Sequence, residues 1–108
     1  MLAYCLLHCW RQGKGIKMLT TDIYEAAIKK YGAIAQENMC IEECAELIQA
    51  INKKHRGLEH NIAEEIADVE IVLAQLKTIN SCWETVATIK QVKMRRLAES
   101  LQKNTNNY

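Results

Sequence analysis

The chain has no proline and no phenylalanine, and only four glycines among its 108 residues. Without proline nothing forces a helix to break, and with little β-branched alternation there is little to build strands from, so an all-α fold is expected. An excess of either charge is missing too. Fourteen Lys and Arg against thirteen Asp and Glu leave a net charge of +1, which removes the bulk-charge argument for binding nucleic acid or a membrane surface. No apolar run is long enough to span a bilayer. Met1 to Leu7 is apolar but short, and the positive charges Arg11, Lys14 and Lys17 follow it, contrary to a secretory signal. Five cysteines cannot all pair, so reduced thiols in a cytoplasm are expected. Cys5 with Cys9 and Cys40 with Cys44 share a four-residue spacing. Cys44 falls on an apolar stripe, however, where a small core residue is expected before a soft-metal ligand.

What is present reads as one domain, which at this size often completes its core by oligomerising. Residues 1–17 form an extension of uncertain role, 18–103 the domain, and 104–108 a polar tail expected to fray. The first helix is expected from Thr21 to Tyr31, stopped by Gly32, and the second from Ile34 to His55, closed by Gly57. The third starts at Asn61, whose side chain is expected to cap it with Glu64 in the reciprocal position. The fourth starts at a capping box, Ser81 to Glu84, and runs through Val86, Ile89, Leu97 and Leu101. Short connections favour an antiparallel four-helix-type bundle, completed by homo-oligomerisation. On the second helix Ile41, Cys44, Ile48 and Ile51 make the apolar stripe. On the third, Ile62, Ile66, Val69, Leu73 and Leu76 make one face, and Ile71, Val72 and Ala74 make its second half apolar almost all round, as for a central buried helix. Trp83 is expected to anchor the core or an interface.

Eight of the thirteen acids lie between Glu42 and Glu70, whereas Lys90, Lys93, Arg95, Arg96 and Lys103 crowd the C-terminal end. Within the acidic stretch, Glu43 with Glu46 and Glu65 with Asp68 are each three apart, so each pair projects from one face of its helix. Packed antiparallel, the two helices bring four carboxylates together. Unpaired anions at close range repel and raise their own pKa values, so the cluster implies a cation. An all-oxygen donor set suits Mg²⁺, or Mn²⁺ in its place, better than zinc. A di-iron bundle is disfavoured, because no histidine has Glu three positions before it. His55 and His60 read as surface or capping residues.

The pattern E-E-x-x-E at Glu42 to Glu46 and, after a spacer of eighteen residues, E-x-x-D at Glu65 to Asp68 resembles the signature of the MazG-like all-α nucleoside triphosphate pyrophosphohydrolases. The resemblance covers roughly Ile34 to Arg96 and is strongest from Gln36 to Leu76. It implies Mg²⁺ ligands at Glu43, Glu46, Glu65 and Asp68, with Glu42 and Glu43 as the catalytic pair, Glu42 orienting a water or standing in the outer shell. It also implies triphosphate contacts from Lys53, Lys54, Lys90, Lys93, Arg95 and Arg96, base or sugar contacts from Gln36 and Asn38, and a homodimer or homotetramer. The implied reaction converts a nucleoside or deoxynucleoside triphosphate to the monophosphate and pyrophosphate. Independently, such chemistry needs a neutralised polyanion, an in-line water and a stabilised leaving group, which carboxylate-held metals and Lys or Arg supply. No glycine-rich phosphate loop is present to offer a P-loop alternative. The competing expectation is a non-catalytic nucleotide-binding or helical interaction module that keeps the carboxylates.

Overall fold

A computed structural model describes residues 20–105. The 1–17 extension, the Cys5/Cys9 pair and residues 106–108 lie outside the described part. Four helices account for nearly all of it: α1 (Thr20–Tyr31), α2 (Ala33–His55), α3 (Ile62–Ile79) and α4 (Trp83–Thr105). No strand occurs among the described residues. None of these helices is long and apolar enough to cross a membrane.

The turns explain the boundaries. Gly32 alone joins α1 to α2, at φ 92°, a conformation that a side chain would oppose. Its N–H bonds to Ile28 O at 2.8 Å and its carbonyl accepts from Gln36 N at 3.2 Å. α2 closes in a Schellman motif: Leu58 N bonds to Lys53 O at 2.9 Å and Gly57 N to Lys54 O at 3.0 Å, with Gly57 at φ 71°. The same motif closes α3, through Cys82 N to Lys77 O at 3.0 Å and Ser81 N to Thr78 O at 3.2 Å.

Ser81 takes the glycine position of that second motif, at φ 49°. It therefore terminates α3 and does not cap α4, and no Ser81–Glu84 capping pair forms; the connection is too short for one residue to do both. Asn61 also departs from expectation. It stands at the N-cap of α3 but makes no side-chain capping bond, and the Ile62 N–H goes instead to His60 Nδ1 at 3.4 Å.

α2 and α3 share the most extensive interface, α1 packs against both, and α4 has little contact with α3. Trp83 pins the start of α4: its Nε1 donates to Thr78 Oγ1 at 3.1 Å, Lys77 Nζ lies 4.7 Å from its ring centre, and Tyr24 lies beside it with ring centres 6.5 Å apart. No residue of α4 whose burial is described is buried.

The core is unusual in composition. Its buried apolar members are Cys40, Ala50, Val72 and Ala74, joined by buried Gln36, Glu43, Glu65, Asp68 and Gln75. On α2 the packed face is thus Gln36, Cys40, Glu43 and Ala50, and the isoleucine stripe is turned away from it. Ile41 is 68% exposed and Ile48 is 61% exposed. Both the expected core stripe of α2 and the expected all-round burial of α3 need correction, since Ile66 and Leu73 are exposed as well. The physical reason is that α2 carries two faces able to pack. Small residues at Cys40 and Ala50 let α3 approach along the polar one. Ile34, Ile41 and Ile48, seven apart, with Ile51 three residues further on, form a seam of coiled-coil spacing on the other.

Candidate metal centre

The antiparallel packing of α2 against α3 sets acid against acid. Glu43 and Glu46 come from the middle of α2, and Glu65 comes from the first turn of α3, where the helix dipole favours an anion. One carboxylate oxygen from each of these three lies within 4.8 Å of the others. Asp68 is buried beside them and close enough to act electrostatically on both Glu43 and Glu65.

The cluster lacks almost everything that normally stabilises buried charge. Glu43 is 1% exposed, and neither of its oxygens has a hydrogen-bond partner. Glu65 Oε2 is likewise buried and unpartnered, while Glu65 Oε1 accepts from Asn61 Nδ2 at 2.7 Å. Burial, the neighbouring Glu46 carboxyl and the charge of Asp68 together push the Glu43 carboxyl up to about 7. Burial first, and then Glu46 and Asp68, raise Glu65 against the opposing Asn61 hydrogen bond. Among the described residues no lysine or arginine pulls either group down. Orphaned buried oxygens with no described side-chain cation beside them are what a divalent ion of the Mg²⁺ or Mn²⁺ type satisfies, so the donor set fits such an ion.

The other residues singled out in the sequence lie in varied places. Glu42 is exposed, and Asn38 is exposed as well. Gln36 is buried two turns up α2 from Glu43. Lys53 and Lys54 are exposed at the C-terminal end of α2, and Lys90, Lys93, Arg95 and Arg96 are exposed on α4. In the single chain none of these cations joins the carboxylates. Two grooves among the described residues lie elsewhere, one lined by Glu25, Ile28, Lys29, Ala33, Thr78 and Ile79, the other running along α4 beside Lys90 and Lys93.

Two residues of the seam were not foreseen. Gln75 is fully buried, and neither Nε2 nor Oε1 has a partner. The signal for it was present in the register: seven residues before Glu43 is Gln36, and seven after Asp68 is Gln75, so the pairing that faces acid with acid faces amide with amide about 10 Å further along. The other is Asn61, read in the sequence only as a cap. Comparison with protein-family models, curated proteins and solved structures gave no match.

Proposed function

We propose that the chain is a divalent-metal-dependent pyrophosphohydrolase that converts a nucleoside or deoxynucleoside triphosphate to its monophosphate and pyrophosphate. The observation that carries this reading is the convergence of Glu43, Glu46 and Glu65 within 4.8 Å, backed by Asp68, in a seam with orphaned oxygens and no lysine or arginine among the described residues beside them. Glu43, Glu46, Glu65 and Asp68 would hold Mg²⁺, or Mn²⁺ in its place. The bound ion supplies charge neutralisation of the polyphosphate and a more acidic water. Without the ion the Glu43 carboxyl is pushed up to about 7, so taking up the ion would displace its proton near neutral pH. Half-buried Glu46 is the member of the cluster closest to solvent and marks the side from which phosphates approach. On this reading exposed Glu42 has an outer role, and Gln36 and Asn38 stand on the side of the nucleoside.

The same reading requires a second copy of the chain. Among the described residues fourteen large apolar side chains are exposed, more than a lone small domain leaves in water. The isoleucine seam of α2 and the Ile66/Leu73 side of α3 pair between copies in a homodimer or homotetramer. α4 of a neighbouring copy brings Lys90, Lys93, Arg95 and Arg96 toward phosphates at the carboxylates, with Lys53 and Lys54 at the rim. Cys40, Cys44 and Cys82 are free thiols, in keeping with work in a reducing cytoplasm. The exposed apolar faces also favour one competing reading, a helical interaction module that binds nucleotide without turnover.

Incubating the purified chain with Mg²⁺ and each NTP and dNTP, and scoring monophosphate and pyrophosphate, tests the proposal. Both products are expected, reduced more than about 100-fold by Glu43→Gln and by Asp68→Asn, since even groups that merely support metal ligands are worth 10–100-fold. Ion binding without turnover of any nucleotide would transfer the case to the interaction module.

A further inference from the structure

Asn61 stands where a helix cap is needed and does something else. Its amide is free to accept from the first N–H groups of α3, the usual occupation of an asparagine at an N-cap. Instead Nδ2 donates to Glu65 Oε1 at 2.7 Å, the helix start makes do with the long bond to His60, and no capping bond comes from Asn61. Of Glu65's two oxygens, Oε1 is thereby occupied. Oε2 is buried with no partner, and Glu65 offers an oxygen to the group it forms with Glu43 and Glu46.

We propose that Asn61 is a positioning residue for a divalent cation: by holding Oε1 it locks the Glu65 carboxylate so that Oε2 is the oxygen presented to Glu43, Glu46 and the ion. This inference rests on the metal reading above and adds to it the group that orients one ligand. A carboxylate free to rotate about its last bond loses orientation each time an ion binds. A donor only four residues away on the same helix start removes that freedom beforehand, as hydrogen bonds behind metal ligands do. Asn61 touches neither substrate nor ion.

The test is Mn²⁺ binding to the full chain, measured by electron paramagnetic resonance of free Mn²⁺, alongside thermal melts without the ion. Asn61→Ser has no amide to reach Glu65 but is able to cap the helix; Asn61→Ala can do neither. If Asn61 positions Glu65, both variants weaken Mn²⁺ binding equally, by about 10–100-fold, whatever the difference between their melts. Affinity that follows the melts, with Ser close to wild type and Ala weak, would assign Asn61 a capping role and overturn the proposal. Unchanged affinity in both variants overturns it as well. Wild type that binds no Mn²⁺ is a different result, because it removes the metal reading and this inference with it.

Discussion

The two faces of α2 invert the usual relation between hydropathy and burial. One face, Gln36, Cys40, Glu43 and Ala50, is polar at two of its four positions and is buried against α3; the other, Ile34, Ile41, Ile48 and Ile51, is apolar and exposed. Burying Glu43 in preference to an isoleucine forgoes about 1.5–3 kcal/mol of hydrophobic stabilisation and adds the cost of desolvating a carboxylate. A chain built for stability alone would turn α2 the other way round. The inversion makes sense when each face has an external partner, an ion for the first and another copy for the second.

That contrast can be broken from either side. The largest effect is expected on the apolar face: if the proposed homo-oligomer pairs through it, Ile41→Asp combined with Ile48→Asp should convert that oligomer to monomers, seen as the mass by light scattering at matched concentration. A mass unchanged by two buried aspartates would mean that the isoleucine seam is not the interface. On the polar face the expected lever is pH. Glu43 is raised from 4.5 to about 7 in the fold, so between those values the unfolded chain gives up its proton first. Stability without metal is therefore full below about 4.5 and falls as pH rises toward 7, by on the order of 3 kcal/mol. Mg²⁺ should flatten or reverse that slope. Melts from pH 4.5 to 8, with and without Mg²⁺, decide it, and a metal-free protein that grows more stable over this range contradicts the buried geometry of Glu43.

A smaller effect separates the two ends of the polar face. Gln75 is buried with both amide atoms unpartnered, so Gln75→Leu should stabilise the metal-free fold by about 1–2 kcal/mol and leave ion affinity unchanged. A loss of stability in chemical denaturation would show that the amide is satisfied after all. Ser81→Gly touches neither face. It relieves the positive φ of 49° at a cost in unfolded-state freedom, with a net gain of roughly 0.5–1 kcal/mol in melts; destabilisation would mean that Ser81 makes a contact unlike its neighbours' turn bonds.

Helix positions were readable from the sequence because glycine and polar punctuation set them locally. Gly32 and Gly57 stop α1 and α2 where expected, at φ 92° and 71°. The carboxylate pairing was readable because spacing along two antiparallel helices determines it, and three of the four acids meet within 4.8 Å. What could not be read was the choice between two packable faces. Periodicity identifies each stripe on α2, but which one meets α3 depends on close approach at Cys40 and Ala50, a tertiary matter. Ser81 and Asn61 were misread for a related reason. Each has a side chain suited to a cap, and each was taken up by a stronger local demand, the end of α3 for Ser81 and the carboxylate of Glu65 for Asn61.

α4 carries a consequence for the lifetime of the protein. It has 23 residues and no residue described as buried, so tertiary packing adds little to its stability. Among the described helices it is therefore the one expected to open while the α2–α3 seam stays closed. Cleavage within α4 of an isolated chain should then run at a rate set by how often that helix opens. Whatever covers α4 also sets how long the protein survives intact.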